Sequence, residues 1–283
     1  MSPLVSIVVP TLNQGRYIGQ TLASIVGQGW PRLELIVMDG GSKDETCAVV
    51  ERFRGAITHF VSEPDRGQGD AINKGFRLAK GDILAWLNSD DYYLPCAVEK
   101  AVSLLQATLN EPALVYGGCL AVWEKTSKAH AWNAIPFDRE KLRTNAYIYQ
   151  PSAFWTRPLW EKTGELDLGF NYVLDWDWFV RASAHIDFQP ITELLSVYRF
   201  HPAHKSSNGG GRRSDEVIKL VEKQAGAEWA AAFRDVAAQI DTLPASLDRL
   251  RRFGLYSLRT LLHRDLYALH GAKVKVALSQ LRT

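Results

Sequence analysis

Cysteine is scarce in this 283-residue chain: three residues, Cys47, Cys96 and Cys119, odd in number and far apart. They supply neither a disulfide framework nor a CxxC zinc pattern, which points to a reducing compartment. Long apolar runs are missing as well. The longest are strand-sized, against the roughly 20 residues that cross a bilayer. The start, Met-Ser-Pro-Leu-Val-Ser-Ile-Val-Val-Pro, lacks the basic region and apolar length of a signal peptide. A cytoplasmic location is therefore expected. Neither charge sign dominates: 33 Lys/Arg face 31 Asp/Glu, and nucleic acid is not an expected partner. The balance is uneven along the chain. Residues 245–283 hold eight Lys/Arg and two acids, leaving 25 and 29 for the rest. A solvated helical face is the plainer reading of that basic tail, and contact with anionic lipid or an anionic partner is the other.

What is present fits an ordinary globular protein. With 46% hydrophobic and 23% charged residues, the chain has one large or two small domains and needs no staples. Val5–Val9 is a β-branched run stopped by Pro10, a first buried strand. Asn13 is placed to cap a helix over about 16–28, with Ile18, Leu22, Ile25 and Val26 on one face. Leu33–Met38 is a second strand. It ends in Asp39-Gly-Gly-Ser42, where Ser42 and Glu45 form a capping box for a helix over about 45–54. Strands at 57–61 and 83–87 flank a helix over 70–80. This alternation predicts a parallel α/β sheet with ligands at the strand C-termini. Helices are expected at 95–107, 158–163 and 176–184, a strand or hairpin interrupted by Gly117-Gly118 at 113–123, and a strand at 189–198. Residues 124–150 show little periodicity. Ser206–Arg213 reads as a linker. Beyond it, helices are expected over about 214–240, 245–264 and 265–282.

Four polar strand ends converge in such a sheet: Pro10-Thr11-Leu12-Asn13, Asp39-Gly40-Gly41-Ser42, Glu63-Pro-Asp65-Arg66-Gly67 and Asn88-Ser89-Asp90-Asp91. Each alone is an ordinary turn; together they form a crevice for a nucleotide. Asp39 would accept from a base N–H, and Gly40-Gly41 lets backbone approach the ligand. Asn73 would face a ribose or phosphate, whereas Lys74 reads as solvent-exposed. Gly67-Gln68-Gly69 lacks the third glycine of a dinucleotide fingerprint and does not follow the first strand, which excludes that reading. Adjacent acids Asp90 and Asp91 at the end of an apolar strand repel each other and cost desolvation unless a cation is near. Taken alone they read as a helix N-cap; in this company they read as a divalent metal–diphosphate site. Asp175, between apolar Leu174 and Trp176, has the setting of a general base, while Asp177 reads as the ion-pair partner of Arg181. His201, in Arg199-Phe-His-Pro-Ala-His204-Lys205, is open between metal ligand and phosphate contact. Of the nine tryptophans, Trp176 and Trp178 are candidates to stack on a sugar, and the others default to the core.

Val-Ser-Ile-Val-Val-Pro-Thr-Leu-Asn, Asp39-Gly-Gly-Ser and Trp86-Leu-Asn-Ser-Asp-Asp91 occur in the order and spacing of the family 2 inverting glycosyltransferases, which the chain resembles over roughly residues 3–206. Gln150-Pro-Ser-Ala-Phe154, Asp175-Trp-Asp-Trp-Phe-Val-Arg181 and Tyr198-Arg-Phe-His201 resemble that family's acceptor-side motifs. The resemblance implies a GT-A fold: a Rossmann-like, mostly parallel sheet flanked by helices. It implies a nucleotide-diphosphate-sugar donor and Mn²⁺ or Mg²⁺. Residues 1–118 then form the nucleotide-sugar half, 119–206 the acceptor half, and 207–283 a linker and basic helical extension. Site residues carried over are Asp175 as base; Pro10, Thr11, Asn13, Asp39, Gly41, Ser42, Asn73, Asn88 and Ser89 toward the donor; and Asp90, Asp91 and His201 toward the metal. Position 88 departs from the family's Asp-x-Asp, its first acid being asparagine.

The implied reaction is hexosyl transfer with inversion to a glycan or lipid-linked acceptor, in cell-surface polysaccharide synthesis. The alternatives are a non-catalytic nucleotide-binding module and a nucleotidyltransferase. Residues 214–283 would cap the catalytic domain, or dimerise, or touch the inner face of the membrane.

Overall fold

The computed structural model describes residues 2–242 and 264–281. The helix expected at 245–264 and most of the basic tail lie outside them. Two compact units are present. The first comprises residues 1–139 and 147–204, the second residues 140–146 and 205–283.

The first unit is built on a nine-stranded sheet in the order β3-β2-β1-β4-β8-β6-β9-β5, with β7 beside β6. Its parallel part alternates with helices: β1 (Val5–Thr11), α1 (Gly15–Val26), β2 (Leu33–Asp39), α2 (Thr46–Glu51), β3 (His59–Ser62), α3 (Gln68–Leu78) and β4 (Ile83–Trp86). β5 (Tyr92–Tyr93), α4 (Ala97–Leu105), β6 (Leu114–Trp123) and β7 (Lys128–Trp132) follow, and the single turn α5 (Arg139–Leu142) falls, but for its first residue, in the second unit. β8 (Ala153–Thr156), α6 (Arg157–Thr163), α7 (Leu174–Ser183) and β9 (Gln189–Phe200) complete the first unit. β8 runs antiparallel between β4 and β6, a single reversed strand after which β6 and β9 resume the sense of β4.

β1 has both faces buried because it lies between two strands and two helix layers. Ile7 and Val9 join a core with Ile18, Leu22, Ile25, Val37 and Val98. Val8 faces the other way, toward α3. On that side Phe76, Trp86, Trp155, Trp160 and Trp178 form a cluster, with Trp155 and Trp178 centroids 4.7 Å apart. Each such buried aromatic contributes about 1.5–3 kcal/mol by removal of apolar area from water.

Several local expectations are corrected. β1 runs through Pro10, because pairing with β4 ends at Val8 and the missing N–H falls beyond it. Asn13 does not cap α1. It has φ 52°, and α1 starts after Gln14 without a side-chain cap. Nor do Ser42 and Glu45 box α2; Ser42 is drawn back onto Asp39. Gly117-Gly118 interrupts nothing. It forms a bulge within β6, where Cβ atoms would strike Leu195 and Leu194 of β9. β7 lies in the stretch without visible periodicity, held by β6 through its backbone.

In the second unit, Ser206–Asn208 forms a 3₁₀ turn and Gly210–Arg213 already belongs to α8 (Gly210–Ala225), so the glycine-rich stretch is helical in part. Gly226, at φ 89°, separates α8 from α9 (Ala227–Thr242). α10 (Arg264–His270) and α11 (Lys273–Leu281) break at Gly271, φ 56°. Val217, Leu220, Phe233, Val236, Val274 and Leu278 are among the buried residues of this unit. Arg213 Nη1 donates to the Gln280 carbonyl at 2.8 Å, and the Gln280 side chain reaches Asn145 at 2.9 Å. Among the described residues no helix is long and apolar enough to cross a membrane.

Candidate active site

The loops after β1 and β2 cap each other's neighbouring elements. Gln14 N–H donates to Thr46 Oγ1 at 2.8 Å and Gly15 N–H to Asp44 Oδ2 at 3.0 Å, so the free N–H groups of α1 are served from the β2–α2 loop. In return, Asn13 N–H donates to Ser42 Oγ at 2.7 Å and Asn13 Oδ1 accepts from Lys43 N–H at 2.8 Å. The left-handed Asn13 is thereby explained: its side chain ties the two loops together.

Asp39 closes β2 and is buried. Its Oδ2 accepts from Gly41 N–H, Ser42 N–H, the Ser62 hydroxyl and the Cys47 thiol, while among the described residues Oδ1 accepts only from the Ser42 hydroxyl. Burial pushes this carboxyl up, but the donors from Ser42, Ser62 and Cys47 outweigh it and hold the group below its usual range. An ionised Asp39 thus has one lone pair of Oδ1 to offer. Thr11, at the adjoining end of β1, has a buried hydroxyl with no partner among the described residues. Gly41 sits at φ 87° against Pro64, where a side chain would be strained.

After β4, Asn88-Ser-Asp-Asp91 is not a helix cap. The next element is β5, and α4 starts only at Ala97. The turn is held from α1. The buried Thr21 hydroxyl lies within donating distance of the Ser89 and Asp91 carbonyls, at 2.8 and 2.6 Å. Asn88 Oδ1 accepts from Gln68 Nε2 at 2.7 Å. The two acids then part. Asp90 Oδ2 meets His201 Nε2 at 3.0 Å. Asp91 is buried, and its Oδ1 accepts the Arg199 N–H at 2.9 Å. Burial first, then the Asp90 charge, pushes the Asp91 carboxyl well above its ordinary value.

His201 is itself set in a frame. The Tyr17 ring packs on it at 4.3 Å between centroids, and Tyr17 hydroxyl donates to Glu124 Oε2 at 3.2 Å. Arg199 lies over the same Tyr17 ring at 4.9 Å, and its Nη2 donates to Gln20 Oε1 at 2.9 Å. Tyr17, Gln20, Thr21, Gln68, Asp44, Glu124 and Arg199 were not among the sequence candidates as site residues. Their partners lie tens to more than a hundred positions away, so no local spacing signals them.

An imidazole and a carboxylate at 3.0 Å suit a divalent ion of the Mn²⁺ class, which takes both nitrogen and oxygen donors. No set of three or more His, Cys, Asp or Glu side chains that could hold a metal is found among the described residues. Asp90 and His201 would leave the remaining positions to phosphate oxygens, as such ions often do. Asp91 is committed to the β9 backbone.

Asp175 lies in the first turn of α7, half-buried, where the helix N-terminus favours a carboxylate. Its Oδ1 accepts from Trp176 N–H at 2.8 Å. α7 docks through Trp178, whose ring lies 6.5 Å from Trp86 at the end of β4. Trp176 and Trp178 are buried, so they pack the core rather than face a sugar. Asp177 pairs with Arg181 Nε at 2.8 Å. Asn73 is also structural in placement: both ends of its buried amide bond the Leu166 backbone, at 3.0 and 2.9 Å.

The family model described as glycosyl transferase family 2 matches residues 6–154. An uncharacterized glycosyltransferase of Rickettsia typhi is 30% identical over 217 residues, 73% of this chain and 67% of that protein. A PGL/p-HBAD biosynthesis glycosyltransferase of Mycobacterium bovis is 30% identical over 220 residues, 77% of this chain and 81% of that one. Among solved structures, S. aureus TarS 1-349 in complex with UDP-GlcNAc matches with a TM-score of 0.62 and 16% identity, covering 98% of this chain and 91% of that one. The longer TarS chain is spanned to 54%. Mannosyltransferase PcManGT from Pyrobaculum calidifontis, in complex with GDP-Man and Mn²⁺, matches with a TM-score of 0.61 and 18% identity, covering 99% and 87%. These structures share the GT-A fold with the sheet and helices described above.

Proposed function

The chain belongs to glycosyl transferase family 2, and from that premise we propose that it is an inverting, metal-dependent hexosyltransferase using a nucleotide-diphosphate sugar. The observation that carries this reading is the Asp90–His201 pair at the end of β4, on the sheet edge where the Thr11, Asp39 and Asn88 loops also end. The UDP-GlcNAc and GDP-Man complexes of the two structural relatives support such a donor.

Each residue has a role in this reading. Asp39 accepts a ring N–H of the base through its remaining Oδ1 lone pair, and Thr11 donates its unpartnered hydroxyl to the nucleotide. Pro10, Asn13, Gly41 and Ser42 shape the loops that receive base and ribose. Asn88 and Ser89 lie beside the sugar phosphate. Asp90 and His201 would hold Mn²⁺ or Mg²⁺, which when bound supplies positive charge for the departing diphosphate. Asp91 holds β9, and with it His201, in register with Asp90. Asp175 removes the proton from the acceptor hydroxyl, which attacks the anomeric carbon opposite the nucleotide. A single displacement inverts the centre. The leaving group is already a good one, so no acid is required.

The acceptor class in this reading is a glycan or a lipid-linked sugar. The units 1–118, 119–206 and 207–283 remain our division by role: donor, acceptor and helical extension. Membrane contact or dimerisation belongs to the last. The test is calorimetric titration of UDP- and GDP-sugars with and without Mn²⁺, paired with donor hydrolysis. Binding of a donor only with metal, followed by release of free sugar, is expected. A chain that binds donor but never hydrolyses or transfers it would be a nucleotide-binding module instead.

A further inference from the structure

One face of the β6–β7–β9 segment carries an aromatic patch that the donor site does not use. Strand register puts Trp123 and Ala121 of β6, Trp132 and His130 of β7, and Tyr198 and Phe200 of β9 on the same face. Trp123 and Phe200 stack at 4.8 Å with planes 3° apart, and Trp132 stacks on Tyr149 at 5.2 Å. Trp123, Trp132, Tyr149, Tyr198 and Phe200 are all half-buried, while the core tryptophans Trp86, Trp155 and Trp178 are buried. The indole N–H groups of Trp123 and Trp132 and the Tyr149 hydroxyl bond to no protein group among the described residues.

The patch adjoins the proposed metal pair. His204 bonds the Tyr198 hydroxyl at 2.9 Å, and its ring lies 5.0 Å from Phe200 and 5.9 Å from His201, which meets Asp90. On the other flank, Tyr149 precedes Gln150, whose Nε2 donates to the Trp86 carbonyl at 2.8 Å. Gln150 Oε1 is buried without a partner among the described residues. Flat apolar faces edged by unpaired N–H and O–H donors suit a ring that presents C–H groups on one side and hydroxyls around its rim. A lipid chain would leave those donors without use.

We propose that this aromatic face, with Trp132 and Trp123 as its platforms, binds a pyranose ring of the acceptor. The proposal rests on the glycosyltransferase reading, which supplies the acceptor, but concerns a surface separate from the donor loops.

The test uses saturation-transfer NMR on the full chain with methyl glycosides of glucose, galactose, mannose, rhamnose and N-acetylglucosamine. At least one glycoside is expected to take saturation on its ring C–H protons. Its affinity should fall about fivefold or more in Trp132→Ala and recover largely in Trp132→Phe. Tyr149→Phe, which keeps the ring, should give a smaller loss. Thermal unfolding of each variant checks the fold. No transfer to any glycoside at millimolar concentration, or equal transfer to Trp132→Ala, overturns the proposal. So does a Trp132→Ala variant that keeps glycoside binding but loses binding to phosphatidylglycerol vesicles, since the face would then serve a membrane. Nucleotide titration separates the two claims: glycoside binding without any nucleotide binding would sink the donor reading and leave the platform standing.

Discussion

The Thr21 hydroxyl, on α1, reaches the backbone carbonyls of both Ser89 and Asp91, on either side of Asp90. One buried hydroxyl therefore fixes the turn that aims Asp90 at His201. Thr21→Val keeps the shape and removes the donor. It removes the single proton that the two carbonyls share and is expected to cost about 1–3 kcal/mol. Thermal unfolding reads that loss as a drop of about 2–4 °C for each kcal/mol. An unchanged midpoint would show that the turn holds itself.

Asp90 and His201 share one contact at 3.0 Å. Asp90→Ala is expected to abolish the part of nucleotide binding that depends on Mn²⁺. His201→Ala should weaken it by a smaller factor. Calorimetry with and without EDTA is the measurement. Identical isotherms for wild type and Asp90→Ala in Mn²⁺ would remove Asp90 from the metal site.

Asp175 is assigned the proton transfer, so Asp175→Asn should bind donor normally and turn over about 10²–10⁴-fold more slowly. Normal transfer by this variant is the result that defeats the assignment.

Asp91 predicts a pH effect on stability in the absence of metal and donor. Its folded carboxyl is raised by burial and by Asp90, whereas the unfolded one titrates near ~3.9. Below that value both states are protonated and the shift has no effect. As pH rises above it, the folded state keeps the proton longer, so wild type loses stability toward neutrality. Asp91→Asn still accepts the Arg199 N–H but has no charge to desolvate. Its stability relative to wild type should therefore improve from pH 4 to pH 8. Urea melts across that range would contradict this if the difference were flat or reversed. Asp39 has the opposite sign: its lowered carboxyl stabilises the fold above the unfolded value, and that contribution is lost on acidification through the folded one.

Much of the parallel β1–β4 part was legible along the chain. The runs at Val5, Leu33 and Ile83 are apolar because their strands are covered on both faces, and each is followed by a polar turn. Periodicity and turn chemistry report such local burial directly. The region after β5 was harder to read. β7 has four exposed residues of five, and only pairing with β6 makes it a strand.

The sequence by itself determined the alternation of strands and helices, the family, and which strand ends carry polar groups, since these follow from local patterning and ordered motifs. Tertiary structure decided what each polar group does there. Asn13 and Ser42, read as helix caps, instead lace two loops together. Asp90 and Asp91, adjacent and alike in the sequence, part into one carboxylate facing His201 and one buried against β9. Trp178 went to the core, while Trp132 stayed half-buried on the sheet face. Those outcomes depend on partners 29 to 111 positions away, and contacts at such separations exist only once the sheet has brought the strand ends together.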